Sequence, residues 1–144
     1  MTARPSFNEY PNACSNSNDR GGTPISLWLI HTEEGGSVKD GAQNLSDFLI
    51  STEGGPNPVS YNYTISEDPD DHGVTVVDCV PLDQSAWAVG AANDASINLC
   101  FAGSSVNWSY DQWMQQSNAI DVAAYLAVQD CTKYGIPLRT MPPP

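Results

Sequence analysis

Apolar residues in this chain fall into short runs divided by Gly, Pro and Asn, with two stretches where they recur at helical spacing. The run Ile25-Ser26-Leu27-Trp28-Leu29-Ile30-His31, with Gly and Pro upstream, has the length of a central strand covered on both faces. After the turn Glu33-Glu34-Gly35-Gly36, the residues Val38, Ala42, Leu45, Phe48 and Leu49 predict an amphipathic helix over 37–50. Ser37 and Asp40 form its capping-box-like start. Gly54-Gly55-Pro56-Asn57-Pro58 ends it, and β-branched and aromatic residues over 59–65 predict a strand with Tyr61 in its middle. Residues 74–80 predict the returning strand of a hairpin, 82–93 a loop, and 96–103 a further buried strand. Ser109 and Gln112 box the start of one long helix, and Gly135 and Pro137 stop it. The order β-α-β-β-β-α predicts an α/β fold with a mixed central β-sheet flanked by helices. The polar segment 1–24 reads as a leader that packs on the domain or stays loose, and 141–144 as an extended tail.

Composition then narrows the classes. The chain has 144 residues, enough for one domain with a core. Seventeen Asp and Glu against five Lys and Arg give a formal net charge of −12, which argues against a nucleic-acid partner, since phosphate backbones are held by Lys and Arg. The acids form no long stripe; the densest group, Glu67-Asp68-Pro69-Asp70-Asp71, reads as a solvated loop. No run approaches the ~20 apolar residues of a membrane span, so no membrane partner is expected. The start Met1-Thr2-Ala3-Arg4-Pro5 has no apolar signal-peptide core, which predicts synthesis in a host cytoplasm without secretory export. Cys14, Cys79, Cys100 and Cys131 permit three disulfide pairings; Cys79 and Cys100 lie in apolar runs and read as buried thiols.

Few side chains are candidates for chemistry. His31 follows a buried strand and precedes a Gly-rich turn, so it is either a satisfied structural histidine or a ligand. His72 is explained by the hairpin turn it occupies. Tyr61 reads as core or catalytic, and Trp87 as core or binding surface. A thiol of Cys79 or Cys100 paired with His31 is a weak nucleophile candidate, because apolar burial raises a thiol pKa.

Several of these segments, in order, resemble one family. Trp28-Leu29-Ile30-His31-Thr32-Glu33-Glu34-Gly35 looks like the first-ligand segment of the type-2 N-acetylmuramoyl-L-alanine amidases, whose fold is shared by phage amidase lysozymes and peptidoglycan-recognition proteins. The segment 59–65 is similar to the family's second strand, with Tyr61 where the phage enzymes place a catalytic tyrosine. Gly73-Val74-Thr75-Val76-Val77 resembles the next strand. Ser85-Ala86-Trp87-Ala88-Val89-Gly90 resembles the Ala-Trp-His-Ala-Gly loop, with Ala88 in place of the usual His, and 93–103 resembles the Asn-x-x-(Ser/Thr)-Ile strand. The segments 97–104 and 119–125 are most similar to the amidase domain of mycobacteriophage lysin A. The resemblance runs over 25–138.

What the resemblance implies is a zinc hydrolase of bacterial peptidoglycan that cleaves the amide between N-acetylmuramic acid and L-alanine and acts at the cell wall. His31 would be the first zinc ligand, Tyr61 the catalytic assistant, and Trp87 and Asn93 substrate-binding residues. The family's other two ligands follow the long helix, beyond a Pro-rich loop. Residues 139–144 look like that loop, so the expectation is a fold without its C-terminal segment: a fragment of a longer lysin with further domains, a site completed by ligands from elsewhere, or a domain that has lost its metal. His72 matches no family ligand. With one of three ligands in sight, the alternative is a peptidoglycan-binding module without catalysis. A third reading, an acidic protein-interaction or inhibitor domain, rests on net charge alone.

Overall fold

The computed structural model describes residues 3–141. Its strands are β1 (Asn8–Pro11), β2 (Ser17–Asp19), β3 (Leu27–Thr32), β4 (Tyr63–Glu67), β5 (Val74–Asp78), β6 (Gln84–Ala86) and β7 (Ser96–Phe101). The helices are α1 (Gly41–Ser51), α2 (Tyr110–Met114) and α3 (Ser117–Tyr134), with a 3₁₀ turn at Gly90–Ala95. Five strands form one mixed sheet in the order β1-β5-β4-β7-β3, and β2 pairs with β6 in a two-stranded ribbon. Only β4 and β5 are antiparallel within the large sheet; β1 joins β5, and β7 joins both β4 and β3, in parallel. The mixed α/β sheet flanked by helices therefore stands as expected. No helix among the described residues is long and apolar enough to cross a membrane.

Alternation of side chains divides the core between the two faces. On one face, Ala42, Leu45 and Leu49 of α1 pack on Val77, Cys79 and Cys100. On the other, Ala119, Val122, Ala123 and Leu126 of α3 pack on Tyr63, Ile65, Val76, Ile97 and Leu99. Leu49 is 1% exposed, and its truncation to Ala would cost about 3 kcal/mol.

The structure corrects four expectations. The strand carrying His31 is an edge strand, not a central one: β3 pairs only with β7, and Ile30 remains 62% exposed. A continuous apolar run identifies a strand without saying which strands flank it. Tyr61 precedes β4 rather than lying within a strand. The Ser37/Asp40 start is not a capping box: Asp40, at φ 50°, makes no side-chain cap bond, and Ser66 Oγ on β4 accepts from Ala42 N at 2.9 Å. The helix predicted from Ser109 is two helices; the Ser109–Gln112 box caps the short α2 alone.

Glu67 also departs from the solvated acidic loop. It is 2% exposed, while residues 69–71 are exposed as expected. The polar segment before residue 24 packs on the domain: β1 extends the sheet, and Cys14, Asn16 and Arg20 are buried. All four cysteines are buried and free. Gly135, at φ 70°, ends α3 as predicted, its N–H bonded to Cys131 O. Of the predicted tail, 142–144 lie outside the described residues.

Candidate functional site

His31 is placed by strand parity. Leu27, Leu29 and His31 share the α1-side face of β3, and the parallel register sets His31 opposite Cys100 of β7. Two residues back along β7, on the same face, lies Asn98, and its Oδ1 is 2.7 Å from His31 Nε2. Helix α1 packs over β4 and β5, leaving His31 and Leu29 half-buried.

Tyr61 reaches the same spot from the segment leading into β4. Its neighbours pin the backbone: Ser60 N donates to Trp87 O at 3.1 Å, and Asn62 N donates to Asn98 O at 2.9 Å. The Tyr61 and His31 rings stand 5.2 Å apart, centroid to centroid, tilted by 48°. Burial, then the neighbouring Cys100 and Glu33, pushes the Tyr61 hydroxyl well above the ordinary tyrosine range, so the phenol stays protonated into alkali. Burial likewise pushes the thiols of Cys100 and Cys79 up to about 12, which leaves both protonated and unreactive.

Trp87 and Asn93 belong to the loop beside this face, and both are partly occupied with holding it. Trp87 is half-buried, and its Nε1 donates to Asn18 Oδ1 at 2.7 Å. Asn93 Oδ1 accepts from Ala88 N at 3.0 Å and Val89 N at 2.7 Å. Arg20, 6% exposed, ties the same loop to β7 by donating to the carbonyls of Leu82, Asn93, Asp94 and Ser96. The N-terminal segment thus supplies Asn18 and Arg20 to the loop's framework. The sequence reading missed these residues and Asn98. A polar Asn in an otherwise apolar buried strand was the available signal, because a buried amide requires partners.

His72 lies elsewhere. Its ring is largely exposed, at φ 56°, with Nδ1 3.3 Å from Oε2 of Glu67. Two cavities, of about 340 and 520 Å³, lie on the α3 side of the sheet and along the β3 edge, and neither is lined by His31 or Tyr61.

A catalytic zinc ion takes three protein donors and keeps one position open. Among the described residues no group of three His, Cys, Asp or Glu is arranged to hold a metal. His31 stands opposite Cys100 with one ring nitrogen bonded to Asn98, and among the described residues no further His, Asp or Glu completes a ligand set around it. The donors present do not fit a zinc centre.

A family profile described as N-acetylmuramoyl-L-alanine amidase matches residues 21–141. No curated protein matches the chain in sequence. Among solved structures, a mutant endolysin from Bacillus subtilis superposes with a TM-score of 0.66 at 16% identity, covering 92% of this chain and 80% of that one. Drosophila PGRP-LB gives 0.63 at 12% identity, covering 92% and 79%. Human PGRP-IBETAC, solved in complex with glycosamyl muramyl pentapeptide, gives 0.60 at 14% identity, covering 92% and 80%. At these identities the likeness is one of fold.

Proposed function

Since the chain belongs to the N-acetylmuramoyl-L-alanine amidase family, we propose that it acts on bacterial peptidoglycan at the bond between the lactyl group of N-acetylmuramic acid and L-alanine. The observation that carries this reading is the meeting of His31 and Tyr61, ring to ring, on a half-covered face of the sheet. Hydrolysis of that amide builds negative charge on the lactyl oxygen. The Tyr61 hydroxyl, a phenol protonated at neutral pH, supplies a donor for that charge. Trp87, whose carbonyl holds Ser60 beside Tyr61, and Asn93, which braces the same loop, are the residues we assign to the sugar and peptide around the bond. A phage endolysin is the source we infer for the activity, in line with the fold likeness to the Bacillus subtilis endolysin.

Zinc is the group the family brings to this reaction. With no group of three such donors among the described residues, this chain's own residues contribute recognition and polarisation. That observation favours a second reading, a module that retains peptidoglycan without cutting it.

Purified cell wall separates the two. The chain is incubated with peptidoglycan and zinc, and both the release of L-alanine amino termini and retention on the insoluble wall are measured. Release that falls about 10²-fold in Tyr61→Phe supports hydrolysis. Retention without release supports the binding module. Neither release nor retention sinks both.

A further inference from the structure

Asn98 is fully buried, and each of its polar groups has a partner whose direction can be deduced. Ser96 Oγ lies 2.8 Å from the carbonyl oxygen of Ala92, and only the hydroxyl can donate there, so the Ser96 proton is committed. The amide atom of Asn98 that meets Ser96 Oγ at 3.0 Å must then be the donor Nδ2. The other amide atom, Oδ1, faces His31 Nε2 at 2.7 Å as an acceptor. An acceptor at that distance requires a proton on Nε2. In the neutral imidazole the lone pair is therefore on Nδ1, for which no protein hydrogen bond is found among the described residues. The strand itself is held from the other side, where Asn98 N donates to Asn62 Oδ1 at 2.9 Å.

We propose that Asn98 is a positioning residue for His31: relayed from Ala92 through Ser96, it fixes the Nε2–H tautomer and ring orientation, so that His31 engages what binds at this face through Nδ1. The inference rests on the reading of His31 as a ligand-binding residue of the peptidoglycan site. The group that fixes one imidazole nitrogen decides how the other is presented. Ser96→Ala removes the acceptor that orients the amide, and Asn98→Leu removes the amide while filling its space.

The test is ¹⁵N-resolved NMR of the His31 ring in the free, neutral protein, with muramyl dipeptide as the binding probe. Wild type is expected to show one tautomer, with a slowly exchanging Nε2–H proton. Asn98→Leu should lose that proton signal, Ser96→Ala should weaken it, and Asn98→Asp, which keeps an acceptor, should restore it. Muramyl dipeptide affinity should fall about tenfold in Asn98→Leu while the backbone spectrum stays folded. An Nδ1–H tautomer in wild type overturns the proposal. So does an unchanged Nε2–H signal in a folded Asn98→Leu, or a lost signal with unchanged affinity. If Asn98→Leu does not fold, Ser96→Ala decides by the same two readouts. If wild type binds no muramyl dipeptide, the peptidoglycan reading fails, while the ring spectrum still judges the tautomer.

Discussion

The side chain of Gln116 closes a two-bond ring on the backbone of Glu67: its Oε1 accepts from Glu67 N at 3.0 Å and its Nε2 donates to Glu67 O at 3.0 Å. The last residue of β4 is thereby paired as if by another strand. The Glu67 carboxylate completes the junction by accepting from Asn118 N at 2.9 Å and Ala119 N at 3.2 Å, at the positive end of α3. This junction explains why the helix breaks between Met114 and Ser117. Gln116→Leu should strand two buried backbone groups and lower stability by about 2–4 kcal/mol, read as a lower urea midpoint with unchanged slope. Gln116→Glu should be comparably destabilised at neutral pH and partly recover in acid, where a protonated carboxyl can again donate to Glu67 O.

A pH effect follows from the opposite corner of the α3-side face. Burial, then a hydrogen bond and charge shared with Glu9 of the parallel neighbour strand, then Asp130, push the Asp78 carboxyl up to about 7 from an ordinary 3.8. Asp130 is itself held by Tyr63 Oη at 2.8 Å and Trp28 Nε1 at 3.1 Å. The folded state binds this proton more tightly than the unfolded chain, so the associated stability is whole below about pH 4 and is lost as pH rises towards about 7. Glu34 and Asp94, held below the ordinary carboxylate range by hydrogen bonds, work in the other direction. The informative quantity is therefore the difference between wild type and Asp78→Asn. Their Tm difference should shift against wild type across that window, and a constant difference would contradict the assignment.

Gly103 sits just beyond β7 at φ 70°, where an added Cβ would overlap the backbone of Ser37 and Val38. Gly103→Ala combines left-handed strain with a clash that no rotamer relieves, and should cost about 3 kcal/mol or more. Gly21, at φ 63° with open space around it, is the control, and its Ala variant should lose only about 1 kcal/mol. Equal losses in thermal melts would mean that the close approach is not what selects glycine at 103.

Asn93 tests whether the Trp87 loop needs its internal acceptor. Asn93→Ala should speed amide exchange at Ala88 and Val89 about tenfold, with Asn93→Asp close to wild type, because it keeps the accepting oxygen. Loss of peptidoglycan retention in the same Ala variant would tie the loop's order to binding.

What could be read from the sequence was local. The α1 period, the hairpin of β4 and β5, the Ser109–Gln112 box and the Gly135 stop each depend on residues a few positions apart, and each formed. What could not be read was set across the fold. Glu67 carries the same charge as its exposed neighbours, and only the return of Gln116 and Asn118 explains its burial. His31 and Tyr61 stand out only through the family resemblance of the segments that carry them. The residue between His31 and the rest of the network, Asn98, is 67 positions away; its place in a buried strand signals that it needs partners but not that His31 is one of them.

The two margins of the sheet are unequal. Along β1 every residue is exposed, Glu9 adds charge, and Pro11 lacks an N–H, which together discourage another strand from pairing there. Along β3 the sequence Leu-Trp-Leu-Ile-His-Thr carries no fixed charge and no proline. Residues 136–141 run along this margin and share a cavity with 26–30, so the β3 edge is shielded by the chain's own return where the β1 edge is shielded by its charge and proline.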